Sequence, residues 1–483
     1  MNRTGRIIPL YSKLQKRALP PQRPRRFRSF PMNKIKTAFW LFLAVLTGLW
    51  LLADTLWPQP FNYMAFRNVF MQYSGVIAIG VMSACMMLAA RPKIIEPWLG
   101  GLDKMYRLHK WLGIAALVTS ILHWWFAQGT KWMAQWGWIE GRRPGGKPGG
   151  QPAADAAMTL QQWLGSQRHL AESVGEWAFY AAALLMVMAL IKRIPYHWFV
   201  KFHKLLAVGY LALVFHTIVL VKYAYWSQPV GWATALLLAG GTVAALMVLF
   251  KRVGAGRKVG GEVVALTHSP ILDVLSITFK LQPGWAGHRA GQFAFVNNLQ
   301  NNESPHPYTI ASAWQADKPQ ITFVTKALGN YTGKLHQNLK VGDKVSIEGP
   351  YGCFTFDDER PRQIWVGGGI GITPFIARMQ QLAAEHHGQP QAVDLFHSTA
   401  DYDENAIALM RADAEAAGIN LHVIWSSRDG YLTGEKIRAA VPEWQNAGIW
   451  FCGPAAFADS LRRDFAAQGF NTKHFHQELF EMR

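Results

Sequence analysis

Six apolar stretches in the first half of the chain, near residues 37–57, 73–90, 108–127, 174–192, 198–221 and 229–250, constrain it most. Each approaches the ~20 residues a helix needs to cross a bilayer core. Backbone in hydrocarbon must satisfy its own hydrogen bonds, so such stretches fold as helices. They predict a six-helix transmembrane bundle, with the 73–90 stretch the weakest of the set. Basic residues cluster before the first stretch, between the second and third (Arg91, Lys93, Lys104, Arg107, Lys110), around the fourth-to-fifth turn and after the sixth (Lys251, Arg252, Arg257, Lys258). By the positive-inside rule these regions are cytoplasmic. Both termini are then inside, as expected for a multi-pass protein of a bacterial inner membrane. The net charge of +19 is thereby a matter of topology, and no nucleic-acid partner is expected.

Two of the stretches carry paired histidines: His109 and His123 in the third, His203 and His216 in the fifth. An imidazole in a spanning helix is costly unless it faces the bundle interior and has a partner. The spacings of fourteen and thirteen residues put the members of each pair about 20 Å apart along a helix. One histidine then lies near each membrane face. If both helices run outward, His109 meets His203 at an inner level and His123 meets His216 at an outer one. Such pairs suit the axial positions of two b-type haems, which makes these four residues the metal-ligand set. Fourteen steps bring two side chains to within about 40° of each other, but thirteen leave them about 140° apart. The fifth helix is therefore expected to bend, to carry a π-bulge or to hold its haems at different azimuths, with Gly209 between the pair. Cys85, Cys353 and Cys452 form no CxxC, so neither an iron–sulfur cluster nor a disulfide framework is expected.

The segment 128–173 faces outward on this topology and contains GRRPGGKPGGQPAA, a flexible composition. Trp132, Trp136 and Trp138 are expected at the interface. Ahead of the first span, Met32 opens MNKIKTAFWLFL. Residues 1–31 read either as sequence upstream of the natural start or as a basic tail on anionic lipid.

After Gly254 the pattern changes to short alternating strands, GEVVALTH, VLSITFKL, QFAFVNN, QITFVTKA and KVSIEGPYG, which predict an antiparallel β-barrel. From about residue 362 strands alternate with helices, as in a parallel α/β nucleotide-binding domain. The expected organisation is a tail at 1–36, a di-haem domain at 37–252, the barrel at 253–358 and the α/β domain at 359–483. The loop Gly367-Gly368-Gly369-Ile370-Gly371-Ile372-Thr373-Pro374 lies where a strand feeds a helix. Glycines there let backbone approach a pyrophosphate, and the helix N-terminus offers free N–H groups.

Within the barrel the motif HPYTIAS, from His306 to Ser312, resembles the flavin-binding segment of the ferredoxin–NADP reductase-like fold. Its form is that of the NADPH oxidase and ferric reductase superfamily. The resemblance implies FAD contacts at His306, Pro307, Tyr308, Thr309 and Ser312. It is similar to the family again at KALGNYT, implying pyrophosphate contacts at Lys326 (where the family often has Arg), Gly329 and Thr332, and at EGPYG. It implies a nicotinamide-side loop at Cys452, Gly453 and Pro454, and a terminal aromatic over the flavin at Phe480, with Phe475 also available. Arg428 stands where related reductases bind an adenosine 2′-phosphate, which favours NADPH over NADH. The implied function is a transmembrane oxidoreductase passing electrons from cytoplasmic NAD(P)H through FAD and two haems to an outer acceptor. That acceptor is a ferric chelate or oxygen. The alternative is a membrane electron-donor subunit serving a quinone or a periplasmic partner protein. Oligomeric state is not legible.

Overall fold

The computed structural model describes residues 33–139, 158–191, 193–299, 304–385 and 391–478. The tail expected at 1–31, the glycine-rich part of the outward segment, and Phe480 lie outside them. The chain begins with α1 (Asn33–Leu51), α2 (Tyr63–Ala89), the short α3 (Glu96–Leu99), α4 (Leu102–Gln135), α5 (Leu160–Ser166), α6 (Arg168–Leu190), α7 (Tyr196–Leu220) and α8 (Pro229–Leu249). Among the described residues, five of these helices are long and apolar enough to cross a membrane: α2, α4, α6, α7 and α8. The apolar part of α1 is shorter, Ile35–Leu51.

The stretch read as weakest is the centre of the bundle. Helix α2 starts ten residues earlier than the sequence suggested, because the Asn62 side chain caps it by accepting from the Ala65 N–H. Its apolar window is as hydrophobic as that of α6 and more so than that of α4, and its small residues suit close packing against α4 and α8. In its apolar window 56% is buried, against 11% in α7, so α2 is an interior helix while α7 lies largely open. Helix α7 is α-helical without interruption from Tyr196 to Leu220, so of the alternatives that the thirteen-residue histidine spacing suggested the π-bulge is absent from it.

Next comes a six-stranded antiparallel sheet of β1 (Lys258–Ser269), β2 (Val274–Leu281), β3 (Phe293–Asn298), β4 (His306–Thr309), β5 (Gln320–Lys326) and β6 (Lys344–Tyr351), with α9 (Asn330–Asn338) after β5. The order is β4-β3-β6-β1-β2-β5. A bridge between Ile310 and Phe323 brings the two edges together. Strands β2 and β5 alternate buried and half-buried residues, the period-2 pattern of a one-sided core. Val263, Ile277, Phe279, Ile310, Ile321, Phe323 and Ile347 fill it.

The last part runs through β7 (Arg362–Gly368), α10 (Thr373–Glu385), β8 (Ala392–Thr399), α11 (Glu404–Ala417), β9 (Asn420–Trp425), α12 (Ser426–Asp429), α13 (Gly434–Ala440), β10 (Ala447–Cys452), α14 (Ala455–Ala467) and β11 (Phe475–Gln477). The parallel sheet has the order β11-β10-β7-β8-β9. Strand β10 is buried throughout, as a sheet covered on both faces requires. The chain leaves β7 toward β8 and β9, then returns to place β10 on the other side. That reversal opens a crevice at the carboxyl ends of β7 and β10.

Charged side chains lock the helical part to the first sheet. Arg91, just past α2, meets Glu348 of β6 at 2.5 Å and donates to the Tyr106 hydroxyl of α4 at 2.7 Å. Its guanidinium also lies 4.1 Å from the centre of the Phe295 ring. Arg257, in the connection after α8, meets Glu96 of α3 at 2.8 Å and donates to the Pro350 carbonyl. Glu96 in turn accepts from the Gly352 N–H. Removing one partner of a buried pair leaves a desolvated charge behind. Lys258 and the Tyr351 hydroxyl still face Glu348, so the cost of Arg91→Met should fall at the low end, about 3 kcal/mol. Unfolding of the detergent-solubilised protein should register that loss, with faster proteolysis of the 250–257 connection. Parent-like stability and cleavage would show that the pair contributes nothing.

Candidate functional site

The four bundle histidines meet as two facing pairs. His109 of α4 and His203 of α7 have ring centres 5.8 Å apart, and His123 and His216 have centres 6.4 Å apart. Two imidazoles bonded to one shared metal at about 2.0–2.1 Å have ring centres separated by about 6 Å. Both pairs match that spacing. A Cβ at Gly175 of the neighbouring α6 would overlap the His216 ring, so glycine there leaves the ring its place. A cavity of about 280 Å³ opens beside the outer pair, with Gly75, Gly175, Arg67, Lys131 and Arg168 in its wall. Beside His203 lies a small crevice, lined by Phe199, Phe202 and Met188.

Three of the rings are oriented from behind. Nδ1 of His109 lies 2.9 Å from the Cys85 carbonyl, that of His216 lies 2.8 Å from the Ala171 carbonyl, and that of His123 lies 3.0 Å from the Ser74 hydroxyl. A carbonyl only accepts, so in His109 and His216 the proton is on Nδ1. Nε2 keeps its lone pair, the arrangement typical of a metal-ligating histidine. Nδ1 of His203 is buried without a hydrogen-bond partner among the described residues.

The flavin motif forms β4, whose proline is at home on an edge strand. Ser312 Oγ accepts from the Thr322 N–H at 3.0 Å. His306 stacks on Tyr331 at 3.9 Å, and Tyr196 at the start of α7 lies 5.7 Å from it. Tyr196, Phe199 and His203 follow one face of α7, with centres 6.2 and 5.0 Å apart. A row of rings thus leads from β4 to the His109–His203 pair, and neither Tyr331 nor Tyr196 was singled out in the sequence. The Thr332 hydroxyl accepts from the N–H groups of Leu328 and Gly329, shaping the entry to α9. The ammonium of Lys326 meets Asp401 beyond β8 at 2.5 Å, tying the two sheets together.

The glycine loop and the Cys452-Gly453-Pro454 loop form one wall, because β7 and β10 pair with Gly367 opposite Cys452. A Cβ on Gly371 would overlap the Cys452 carbonyl, and one on Gly368 would lie 3.0 Å from Pro454. Gly369 has φ +56°, a conformation that favours glycine. Thr373 and Pro374 open α10. Glu478, which the sequence reading passed over, is buried with Oε2 unpartnered. Burial pushes its carboxyl well up, and burial likewise pushes the Cys452 thiol up. Phe475 belongs to the sheet core, stacked on Phe451, and so is no candidate for a flavin cover. Arg428, on α12 after β9, is exposed and holds Asp429 in a fork at 2.7 and 2.9 Å.

Two outcomes follow from this geometry. Gly371→Ala should drive the two loops apart and abolish nicotinamide-nucleotide binding in a calorimetric titration while leaving the flavin bound. Unaltered nucleotide affinity would remove the loop from the site. His288 sits behind Ser312, 3.0 Å from its carbonyl, and burial lowers it from the usual 6.5 to about 4. The unfolded chain therefore takes up this proton first, so His288 contributes stability above about pH 6.5 that is lost as pH falls toward 4. The melting temperature should drop across that window, less steeply in His288→Gln, which retains a donor for the carbonyl. An identical slope would exclude His288 as a cause.

Residues 74–214 match the family described as ferric reductase like transmembrane component, and residues 260–355 match an FAD-binding domain. The glycine betaine monooxygenase reductase subunit of Chromohalobacter salexigens is 24% identical over 231 residues, covering 43% of this chain and 60% of that protein. A flavohemoprotein of Xylella fastidiosa is 27% identical over 226 residues, covering 42% and 54%. The chain thus spans only about 60% or less of the length of these relatives. Among solved structures, a ferredoxin reductase of carbazole 1,9a-dioxygenase has a TM-score of 0.39 at 22% identity, covering 46% of this chain and 69% of that one. A flavohemoglobin from Malassezia yamatoensis has a TM-score of 0.45 at 16% identity, covering 86% and 98%. The two family matches, in this order along one membrane protein, give the chain the domain architecture of the NADPH oxidase/ferric reductase superfamily.

Proposed function

We propose that the protein is a transmembrane oxidoreductase that takes electrons from NAD(P)H at the cytoplasmic face and delivers them to a ferric chelate or oxygen at the outer face. The observation that carries this reading is the meeting of four histidines from two spanning helices as two ring pairs at separate depths. Each pair supplies only two donors, so it suits a metal whose remaining ligands come from a macrocycle, namely a b-type haem. When bound, NAD(P)H would supply a hydride, that is two electrons and a proton, and FAD and haem would supply the conversion of the electron pair to single-electron transfer.

The chain's own part is placement. His109 with His203, and His123 with His216, would hold the two irons. With two histidines given to each, neither site would leave a position for the acceptor to bind. His306, Pro307, Tyr308, Thr309 and Ser312 line the flavin, while Gly329, Thr332 and the start of α9 face its pyrophosphate. Lys326 reaches the pyrophosphate only on leaving Asp401. Gly367, Gly368, Gly369, Gly371, Thr373 and Pro374 take the nucleotide diphosphate, and Cys452, Gly453 and Pro454 border the nicotinamide. Arg428 takes the 2′-phosphate of NADPH in place of the Asp429 carboxylate. Tyr196 and Phe199 keep water out of the gap between β4 and the inner pair. Helix α1, nineteen residues and about 28 Å long, serves as a sixth span. Both termini are cytoplasmic in an inner membrane, and the sheet joined by the Ile310 bridge is read as a barrel. The domains are then 37–252, 253–358 and 359–483.

The test is an anaerobic optical titration of the haem-loaded, detergent-purified protein with NADPH, followed by ferric citrate or oxygen. A bis-histidine b-type spectrum should appear, and the faster reoxidant identifies the acceptor. Flavin bleaching with the haem left oxidised would refute the wire.

A further inference from the structure

The four histidines differ in what stands behind them, and one of the supports is a side chain. Ser74 lies on α2, a helix that carries no ligand, and is buried. Its Oγ is 2.7 Å from the Phe70 carbonyl one turn earlier and 3.0 Å from His123 Nδ1. A hydroxyl has a single hydrogen. A serine inside a helix gives it to the i−4 carbonyl, so toward His123 the oxygen presents a lone pair. The proton between them therefore belongs to His123 Nδ1, and Nε2 is the nitrogen left for a metal. The adjacent Gly75 clears the ring: a Cβ there would lie 3.3 Å from His123 Cε1. Helix α6 repeats the arrangement for His216, with the Ala171 carbonyl as acceptor and Gly175 as the clearance one turn on.

We infer that Ser74 is the positioning residue of the outer haem, fixing the tautomer and plane of His123 and holding the potential of that iron below that of an unsupported imidazole ligand. The inference rests on the haem reading above. A ring whose Nδ1–H is engaged is the more basic ligand. A more basic ligand favours the oxidised metal, and hydrogen bonding around the ligands is one of the levers on potential. The outer pair has both rings engaged, by Ser74 and Ala171. The inner pair has one, because His203 Nδ1 has no hydrogen-bond partner among the described residues. Of the three supports, Ser74 alone acts through a side chain; the Met71 carbonyl also faces His123, so a point substitution at Ser74 weakens the support of this ring without moving backbone.

The experiment is an equilibrium redox titration of the full-length, haem-loaded protein, followed optically and by electron paramagnetic resonance. Parent, Ser74→Ala and Ser74→Thr are compared, with the outer component identified as the one lost in His123→Ala. In Ser74→Ala the outer component should move to higher potential and its low-spin ferric signal should change. The inner component should not move, nor should the rate of flavin reduction by NADPH. Ser74→Thr keeps the hydroxyl and should return the outer component to the parent position. Coincident titrations in parent and Ser74→Ala, or equal shifts of both components, would overturn the inference while leaving the haem reading intact. A parent protein without bis-histidine haem would overturn both.

Discussion

Everything downstream of the bundle depends on the charges that join it to the first sheet. Arg91 with Glu348 and Arg257 with Glu96 are largely removed from water. Pairs of this kind recover their desolvation cost only where geometry is good and the remaining polar atoms are satisfied. Here the Tyr106 and Tyr351 hydroxyls, the Gly352 N–H and the Pro350 carbonyl complete the bonding. Apolar contact alone would let the sheet slide over the helix ends. Directional charge pairs permit a single registration. Because Glu348 and Gly352 bracket the segment that resembles a flavin contact, the joint also fixes how far β4 stands from the inner histidines.

Long-range order in the membrane half was legible where it depended on spacing along one helix and illegible where it depended on a neighbour. The positions of His109, His123, His203 and His216 follow from counting residues. Helical geometry alone, however, left open how α7 places both of its rings. The room for His216 comes from Gly175, an absent side chain forty-one positions earlier, for which no periodicity offers a sign. The misjudged strength of α2 is a matter of length. Counted from residue 73 the stretch is short for a span, whereas the Asn62 cap starts the helix at Tyr63 and gives it 27 residues.

In the reductase half, motifs with local geometry were the readable ones. The glycine loop announces itself because strand, turn and helix are contiguous. Tyr331 against His306 and Lys326 against Asp401 arise only when separate elements fold together. Lys326 was read as a ligand contact because a motif gives a residue its neighbours in sequence and omits competitors from another domain. Glu478 was passed over because a lone acid near the end of a chain looks solvated; strand β11 carries it inward.

The shared wall of β7 and β10 bears on how the protein is made. The glycine loop is complete by Pro374, but the strand that lines its other side ends at Cys452. Between them the chain must lay down β8 and β9 on one flank before crossing back. The crevice therefore does not exist in a nascent chain, and appears only when the last central strand is inserted. A ligand that needs both loops binds nothing earlier, so its binding energy adds wholly to the finished sheet. For such a domain a bound nucleotide is a late fastener, and shortage of it in the cell would be felt as a lower stability of the finished domain rather than as slower assembly of its strands.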